Sequence, residues 1–387
     1  MRKILVVLGT RPEAIKLAPL IKELRSRPQF ETIVCSTGQH REMLDQVFSV
    51  FDFQPDVELA VMGNNQKIVD LTVKVITGVA ETISKTSPDL LLVQGDTTTA
   101  MAASIAAFTS KIPVGHVEAG LRTFDRLNPF PEESNRVVID VVSELLFAPT
   151  LRNQENLKNL GISSENIFVT GNTIVDAVLS TSEKLNNSAE SADIQKIIAD
   201  EIPLPISELI ESTDMSRQLI LVTAHRRESF GTGLEAIFNA LKTIVERNPK
   251  VEIAFPVHLN PNVQEPAMRI LEGVDRIHLF QPTSYLPFVW LLKNCVLVLT
   301  DSGGVQEEAP AFGKPVLVMR RETERLEAVE AGSATLVGVE SGSIVERTEH
   351  LLNNKNAYTK MSNAQNPYGD GTASIQIADI ISNWQTR

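Results

Sequence analysis

Short apolar runs recur along the whole chain, and they constrain its possible folds more than any other feature. Most are four to seven residues long, rich in Val, Ile and Leu, and apolar on both faces. Such runs are typical of parallel strands buried on both sides. They predict twelve strands, over Lys3–Gly9, Thr32–Thr37, Leu90–Gln94, Val114–Glu118, Leu145–Ala148, Ile167–Thr170, Gln218–Thr223, Glu252–Pro256, Ile277–Phe280, Val296–Thr300, Pro315–Met319 and Ala334–Val337.

Helical patterns lie between most of these runs. Apolar residues at three- and four-residue spacing predict helices over Pro12–Arg25 and Leu234–Arg247, and an Ala-rich segment predicts one over Thr97–Thr109. An amphipathic pattern predicts a C-terminal helix over Ile375–Trp384. Alternating strands and helices form βαβ units that wind around parallel sheets. The chain is therefore predicted to be α/β, with two Rossmann-like, doubly wound domains.

A polar, poorly periodic stretch from 180 to 216 separates the two sets of strands. We expect an N-terminal domain over residues 1–175, completed by the C-terminal segment 368–387, and a C-terminal domain over 176–367. In open α/β sheets, ligands bind beyond the carboxyl ends of the strands. Both domains place polar loops there, so we expect the domains to face a central cleft that holds the active site.

Composition and charge exclude several classes of protein. The net charge is −12 and the pI is about 5.1, which argues against a nucleic-acid partner but leaves room for a local anion-binding pocket. Two cysteines, Cys35 and Cys295, are too few for a disulfide scaffold or a cysteine zinc site. No two histidines have metal-ligand spacing, so we expect no metal. The apolar runs are too short to span a membrane and the N-terminus is typical of a strand, so we expect a cytoplasmic protein.

The second half contains a turn that suits a phosphate. Asp301–Gly304 ends a strand and opens a helix, where two glycines let a phosphate approach free backbone N–H groups. Glu308, about one helical turn later, is placed to accept hydrogen bonds from ribose hydroxyls. The alternative is an ordinary helix capped by Ser302. The chain lacks GxGxxG after its first strand and lacks a Walker loop, so no dinucleotide cofactor is expected.

Cations follow two of the predicted strands. Arg11 and Lys16 lie near a helix N-terminus, where cations gain nothing from the helix dipole. His225–Arg227 place three potential cations together, and an anion would relieve their repulsion. The alternatives are surface charge for the first pair and a structural role for the histidine. Of the other histidines, His258 is a candidate for lining the cleft, and His116 is expected to be a buried, hydrogen-bonded core residue.

Carboxylates gather in the first half of the chain. Asp96 and Glu118 end neighbouring strands, and Glu132 and Glu133 follow a proline-rich loop. A group of acids that faces a cationic domain suits general acid–base chemistry. For Asp96 the alternative is capping of the Ala-rich helix that begins near Thr97.

These residues lie within strings that match a known family in order along essentially the whole chain. The chain resembles the non-hydrolysing UDP-N-acetylglucosamine 2-epimerases. The matching strings are Gly9–Lys16, Thr37–Met43, Gln94–Thr97, His116–Arg122, Pro131–Arg136, Thr223–Glu228, Tyr285–Phe288, Thr300–Gly304 and Asn366–Gly371.

The resemblance implies a glycosyltransferase-B-type fold, a homodimer, and UDP bound mainly by the second domain. It implies reversible conversion of UDP-N-acetylglucosamine to UDP-N-acetylmannosamine for surface polysaccharide synthesis, without a dissociable cofactor. Glu132 and His225 match further catalytic positions, and Gln39 and His40 match part of an activator site. Thr283 stands where some relatives carry Gln. The binding positions fall on Arg11, Lys16, Asp96, Glu118, His225, Thr283, Phe288, Ser302, Gly303, Gly304, Glu308 and Arg325.

Three other functions remain open at this stage. A UDP-sugar glycosyltransferase would need an acceptor groove, and a hydrolysing epimerase would release free N-acetylmannosamine. A regulator that binds nucleotide sugars without turnover would not need Asp96, Glu118 and Glu132, which are all present.

Overall fold

The computed structural model describes residues 1–38, 41–63, 66–186, 191–212 and 217–385. The chain forms two compact units. The first unit comprises Met1–Ala177 together with Tyr368–Arg387, and the second comprises Val178–Pro367. Each contains one parallel sheet with helices between its strands, which confirms the predicted α/β class with two Rossmann-like sheets.

The sheet of the first unit has the strand order β3-β2-β1-β4-β5-β6-β7, with every neighbouring pair parallel. Its order from β3 to β6 is that of the Rossmann fold. The strands are β1 (Arg2–Leu8), β2 (Phe30–Ser36), β3 (Val57–Glu58), β4 (Leu90–Gln94), β5 (Val114–Val117), β6 (Leu145–Ala148) and β7 (Ile167–Val169).

Seven helices connect or follow these strands in the described part of the chain. They are α1 (Arg11–Ser26), α2 (Arg41–Phe51), α3 (Ile68–Thr86), α4 (Thr98–Thr109), α5 (Glu132–Val142), α6 (Leu151–Asn159) and α7 (Thr173–Asn186). Fully buried residues of β1 and β4, such as Val7 and Leu91, pack in one core with Val79 of α3 and Ala103 of α4. The Ala-rich sequence of α4 suits this position, because small side chains let a helix lie close to its neighbours.

The second unit has a six-stranded parallel sheet in the order β10-β9-β8-β11-β12-β13. Its core includes Val222, Phe238, Phe255 and Leu299, all fully buried. The elements are α8 (Ser191–Glu201), α9 (Leu204–Glu211), β8 (Gln218–Thr223), α10 (Thr232–Arg247), β9 (Val251–Pro256), α11 (Pro261–Leu271), β10 (Ile277–Phe280), α12 (Tyr285–Asn294), β11 (Leu297–Thr300), α13 (Gly303–Glu308), β12 (Val316–Val318), α14 (Leu326–Ala331), β13 (Ala334–Leu336), α15 (Ser341–Asn353) and α16 (Lys355–Ser362).

The last helix, α17 (Ala373–Asn383), belongs to the first unit and packs against α1. Arg27 Nη1 lies 2.6 Å from Asp379 Oδ1, and the Ser374 N–H donates to Asp176 Oδ1 at 2.7 Å. Ile377 of this helix is fully buried. The chain therefore returns to its first unit after completing the second.

The predicted strands all appear, with ends shifted by at most two residues. The short strand β3 was not predicted, because a two-residue edge strand produces no periodic pattern. The thiols of Cys35 and Cys295 are buried, and burial raises the pKa of each to about 12. No helix in the described part of the chain is long and apolar enough to cross a membrane.

Candidate active site

Charged residues follow β1, β4 and β5, which are neighbours in the first sheet. Arg11 and Lys16 lie in α1 after β1, Asp96 follows β4, and Glu118 follows β5 directly. Glu132 begins α5. We call these five residues the first-unit edge. The carboxyl ends of parallel strands meet at one edge of a sheet, which is where ligands bind in this class of fold.

Glu118 forms a buried ion pair with Lys16. Lys16 Nζ lies 2.6 Å from Glu118 Oε2, and the Gln94 side-chain amide also donates to this oxygen. The two charged side chains are only 12% and 8% exposed. Lys16 was predicted to bind an anion, and the anion it contacts here is the carboxylate of Glu118. The backbone φ of Glu118 is +68°, a strained value for a residue other than glycine and one that is often found at functional sites.

Asp96 is held by α5. The Arg136 guanidinium donates to Asp96 Oδ2 through Nη2 and, at 3.1 Å, through Nε, and the Asn135 amide donates to the Asp96 carbonyl at 2.9 Å. The N-terminus of α4 is instead capped by Thr97, whose Oγ1 accepts a hydrogen bond from the Ala100 N–H at 3.0 Å. The capping alternative for Asp96 is therefore wrong, and its carboxylate stays 28% exposed.

Glu13 was missed by the sequence analysis, although it joins two loops of this edge. It is 1% exposed, and its Oε2 accepts hydrogen bonds from the Gly9 and Thr10 N–H groups at 3.0 and 2.7 Å. Its Oε1 accepts a hydrogen bond from Thr97 Oγ1 at 2.7 Å. Burial raises the pKa of the Glu13 carboxyl. The spacing of Thr10 and Glu13 matches a capping box, so a sequence signal for this residue existed.

The structure separates the roles of Glu132 and Glu133. Glu133 is 2% exposed and accepts hydrogen bonds from the Thr123 and Phe124 N–H groups and from Arg136. Its oxygens are thus occupied in holding the loop before α5. Glu132 Oε2 is buried and has no hydrogen-bond partner among the described residues. Buried polar atoms are normally paired, so this oxygen is a good candidate for contact with a ligand.

In the second unit, the loop after β8 is tied to the loop after β11. The backbone N–H groups of His225 and Arg226 donate to Asp301 Oδ2 at 2.6 and 2.7 Å. Asp301 is fully buried, and its Oδ1 lies 3.2 Å from His225 Nδ1. This distance allows an ion pair between Asp301 and the His225 ring when the ring is protonated.

His225 also stacks on His258, with ring centroids 5.4 Å apart and ring planes 17° from parallel. Burial lowers the pKa of the His225 side chain below its ordinary value, Asp301 opposes this shift, and cations such as Arg226 add to it. The free His225 ring is therefore shifted toward its neutral form, and a bound anion favours the protonated form. The repulsion predicted among His225, Arg226 and Arg227 is smaller when the histidine is neutral, because only the two arginines then carry positive charge.

The glycine turn after β11 accommodates Arg325. A Cβ atom added to Gly303 would lie 3.1 Å from the Arg325 guanidinium carbon, so this position suits glycine. Arg325 donates to Glu307 Oε1 at 3.0 Å. Gly304 faces open space among the described residues. Ser302 precedes α13, but its side chain makes no capping hydrogen bond in the described structure, so the alternative role as a side-chain cap is wrong.

Glu308 ends α13 and is 6% exposed. The Tyr285 hydroxyl at the start of α12 donates to Glu308 Oε1 at 3.1 Å. Thr283 lies two residues before α12, and its Oγ1 is buried without a hydrogen-bond partner in the described chain. Phe288 lies in the same helix and is half-buried. Tyr285 falls within a matching string but was given no role from sequence, because its link to Glu308 depends on the packing of two helices.

Two predicted positions cannot be compared with the structure. Gln39 and His40 lie outside the described residues. Within the residues that the structure does describe, no group of three or more His, Cys, Asp and Glu side chains could hold a metal ion.

Comparisons with known proteins agree with this geometry. A sequence model described as UDP-N-acetylglucosamine 2-epimerase matches residues 22–382. The chain belongs to the UDP-N-acetylglucosamine 2-epimerase family. A probable UDP-N-acetylglucosamine 2-epimerase of Ralstonia nicotianae is 50% identical over 381 residues, which cover 98% of this chain and 99% of the relative. The UDP-N-acetylglucosamine 2-epimerase of Salmonella typhimurium is 47% identical over 383 residues, which cover 99% of each.

Solved structures of this family match as well. The UDP-GlcNAc 2-epimerase of Neisseria meningitidis, bound to UDP-GlcNAc, is 43% identical with a TM-score of 0.89, covering 99% of this chain and 100% of that one. The Methanocaldococcus jannaschii enzyme, in complex with UDP-GlcNAc and UDP, is 33% identical with a TM-score of 0.79, covering 99% and 100%. The chain thus has the glycosyltransferase-B-like fold of this epimerase family, and it is an isomerase.

Proposed function

We propose that this epimerase interconverts UDP-N-acetylglucosamine and UDP-N-acetylmannosamine by inverting C2 of the sugar. The observation that carries the proposal is the division of charged groups between the two units. The first unit presents Asp96, Glu118 and Glu132 at one sheet edge, and the second presents His225 and a glycine turn at another. Relatives crystallised with UDP-GlcNAc and UDP support this choice of substrate.

In this proposal, the second unit binds the UDP moiety. The turn Ser302–Gly304 takes the diphosphate, with Arg325 behind it and His225 from the neighbouring loop. Glu308 accepts hydrogen bonds from the ribose hydroxyls, and Thr283 and Phe288 lie on the uracil side. Arg11 and Lys16 of the first unit add positive charge for the diphosphate.

The C2 proton of the sugar is not acidic, because no carbonyl group is attached to that carbon. We therefore place departure of UDP first. The C1–O bond breaks, UDP keeps the electron pair, and positive charge develops on C1 and the ring oxygen. A carboxylate then removes the C2 proton and the C1–C2 double bond forms, which leaves 2-acetamidoglucal and UDP bound.

The reverse steps complete the inversion. A proton is delivered to C2 from the opposite face, and UDP adds again at C1. Cations stabilise the departing diphosphate, and carboxylates stabilise the oxocarbenium-like state. Inversion needs a proton-transfer group on each face, and Asp96, Glu118 and Glu132 are the candidates. Of these, Glu132 has a buried oxygen that lacks a hydrogen-bond partner among the described residues, which suits proton transfer to a ligand.

Proton NMR of UDP-N-acetylglucosamine with the purified protein in heavy water tests the proposal. We expect deuterium at C2 in both epimers, with no added NAD. Epimer that keeps its C2 proton would overturn the elimination route. Release of free N-acetylmannosamine would instead assign a hydrolysing activity, and absence of turnover would leave the protein as a binder.

A further inference from the structure

A buried cluster of charged residues lies directly behind the loop that carries Asp96. His116 of β5, Arg122 and Asp140 of α5 have side chains that are 0%, 1% and 0% exposed. Arg122 donates to Asp140 Oδ2, and His116 Nδ1 lies 2.5 Å from Asp140 Oδ1. The other ring nitrogen of His116, Nε2, lies 2.7 Å from the carbonyl oxygen of Gly95.

Both ring nitrogens of His116 therefore face acceptors. The Gly95 carbonyl can only accept a hydrogen bond, and an ionised carboxylate can only accept as well. Burial would raise the pKa of the Asp140 carboxyl, but its contacts with His116 and with the permanently charged Arg122 guanidinium lower that pKa. Asp140 is thus ionised, and His116 makes both contacts only if both nitrogens carry a proton. The ring is an imidazolium, fully enclosed by protein.

The contact with Gly95 is one of the hydrogen bonds that fix this turn, together with those that Asn135 and Arg136 make to Asp96. Gly95 has a φ of +69°, and a Cβ atom added there would meet no atom of the described structure within 4 Å. Side-chain packing therefore does not set the orientation of the peptide that joins Gly95 to Asp96. Hydrogen bonds set it, from His116 Nε2 to the Gly95 carbonyl, from the Gly95 N–H to the Val117 carbonyl at 3.0 Å, and from Asn135 to the Asp96 carbonyl.

We propose that His116 is a positioning residue, held as an imidazolium by Asp140, which fixes the Gly95 carbonyl and so aims the Asp96 carboxylate. This inference rests on the proposed function, in which Asp96 acts on the sugar. Catalytic groups that shift by about 1 Å can lose roughly 100-fold in rate, so a fixed turn is valuable here. The role of His116 is indirect, because it touches Gly95 and Asp140.

The first test is independent of activity. Protein labelled with ¹⁵N-histidine is measured by NMR, and the His116 signals are assigned by their loss in His116→Gln. We expect protons on both ring nitrogens of His116 at neutral pH, because each nitrogen faces an acceptor. A single ring proton at neutral pH would overturn the proposal.

The second test uses two neutral variants that differ in reach. The terminal amide of His116→Gln extends to the position of Nε2, so it keeps a donor near Gly95. The shorter amide of His116→Asn reaches the position of Nδ1, so it keeps contact with Asp140 and loses Gly95. We expect kcat of His116→Asn to fall roughly 10- to 100-fold below that of His116→Gln, while Kd for UDP is equal in both.

Thermal melts accompany the kinetics, because both variants remove a buried charge. Equal kcat values in the two variants would overturn the link to Gly95. If the wild-type protein shows no epimerisation, the proposed function fails, while the NMR result still decides the protonation of His116. If either variant does not fold, Asp140→Asn replaces the pair, and we expect it to leave a single ring proton on His116. Two ring protons in Asp140→Asn would contradict the proposal.

Discussion

The charged groups that follow β1, β4 and β5 in the first unit are held differently from those that follow β8 in the second. In the first unit, the charged side chains bind one another, Lys16 to Glu118 and Arg136 to Asp96. In the second, it is the backbone of His225 and Arg226 that is tied down by Asp301, and their side chains remain 35% exposed. Carboxylates that are already held in place suit catalysis, because their side chains need not reorganise when the transition state forms. Exposed groups that carry or can gain positive charge suit the binding of an anion.

The largest effects are expected at the carboxylates of the first unit. Asp96→Asn, Glu118→Gln and Glu132→Gln keep the side-chain shape and remove the base. We expect each proton-transfer residue to lose roughly 10²–10⁴ in kcat. UDP affinity should barely change, because the groups proposed to bind UDP belong mostly to the second unit. Steady-state kinetics and UDP titration measure this, with Glu81→Gln on the exposed surface of α3 as the matched control.

If one of these three variants has a lowered melting temperature and a normal kcat, the carboxylate that it replaces has a structural role. Asp96 is the most instructive case, because Arg136 binds it. If Asp96→Asn keeps its melting temperature and loses turnover, the comparison between a reacting unit and a binding unit is strengthened. If it loses UDP affinity instead, the division between the units breaks down.

The next effect is expected at His225. His225→Ala removes a donor to the diphosphate, and loss of one hydrogen bond to a charged group costs about 1.5–3 kcal/mol, a weakening of roughly 10- to 150-fold. Isothermal titration with UDP measures it. Arg11→Ala tests the first-unit cation in the same assay. Steady-state kinetics of both variants complete the test. An unchanged Kd for UDP together with an unchanged kcat/KM would show that His225 and Arg11 do not belong to the active site.

UDP binding should also depend on pH through His225. The pKa of the free His225 side chain is lowered, and a bound diphosphate raises it, so binding takes up a proton. UDP affinity should therefore rise as the pH falls through the bound-state pKa, and level off below the free-state pKa. In His225→Asn, the pH dependence of UDP binding should come only from the titration of UDP itself. If the variant and the wild-type protein take up equal numbers of protons on binding UDP, the role of His225 beside the diphosphate is contradicted.

A smaller effect is expected at Tyr285. Tyr285→Phe removes the hydrogen bond to Glu308, worth about 1 kcal/mol or roughly fivefold in affinity. Because Glu308 is proposed to bind ribose hydroxyls, the loss should appear with UDP and vanish with the 2′,3′-dideoxy nucleotide. A similar loss with both ligands would place the effect outside ribose recognition.

The smallest effect concerns Glu13, which belongs to the scaffold. Its pKa is raised by burial, so its contribution to stability is greatest at low pH and is lost as the pH rises through the folded-state pKa. Glu13→Gln removes this dependence. We expect the stability of the variant relative to wild type to increase with pH across that window, measured by urea unfolding. A constant difference would show that Glu13 carries no raised pKa.

Sequence reasoning placed the strands and the loops that follow them, because short apolar runs and their periodicity are local properties. It also placed Asp96, Glu118 and His225 at the edges of the two sheets, since polar residues that follow such runs lie where the strands end. It did not predict the partner of Asp96, because Arg136 lies in α5, which follows the next strand along the chain. The pairing of His116 with Asp140 and Gly95 depends on the same packing.

The return of α17 to the first unit has a consequence for protein synthesis. Domains that are continuous in sequence can fold as they leave the ribosome, the N-terminal one first. The first unit departs from this order, because the helix that packs on α1 is translated only after Val178–Pro367. During translation, the α1 surface that α17 contacts therefore lacks its partner. A chain that ends at Pro367 and has been released from the ribosome should carry a complete second unit and an unfinished first one.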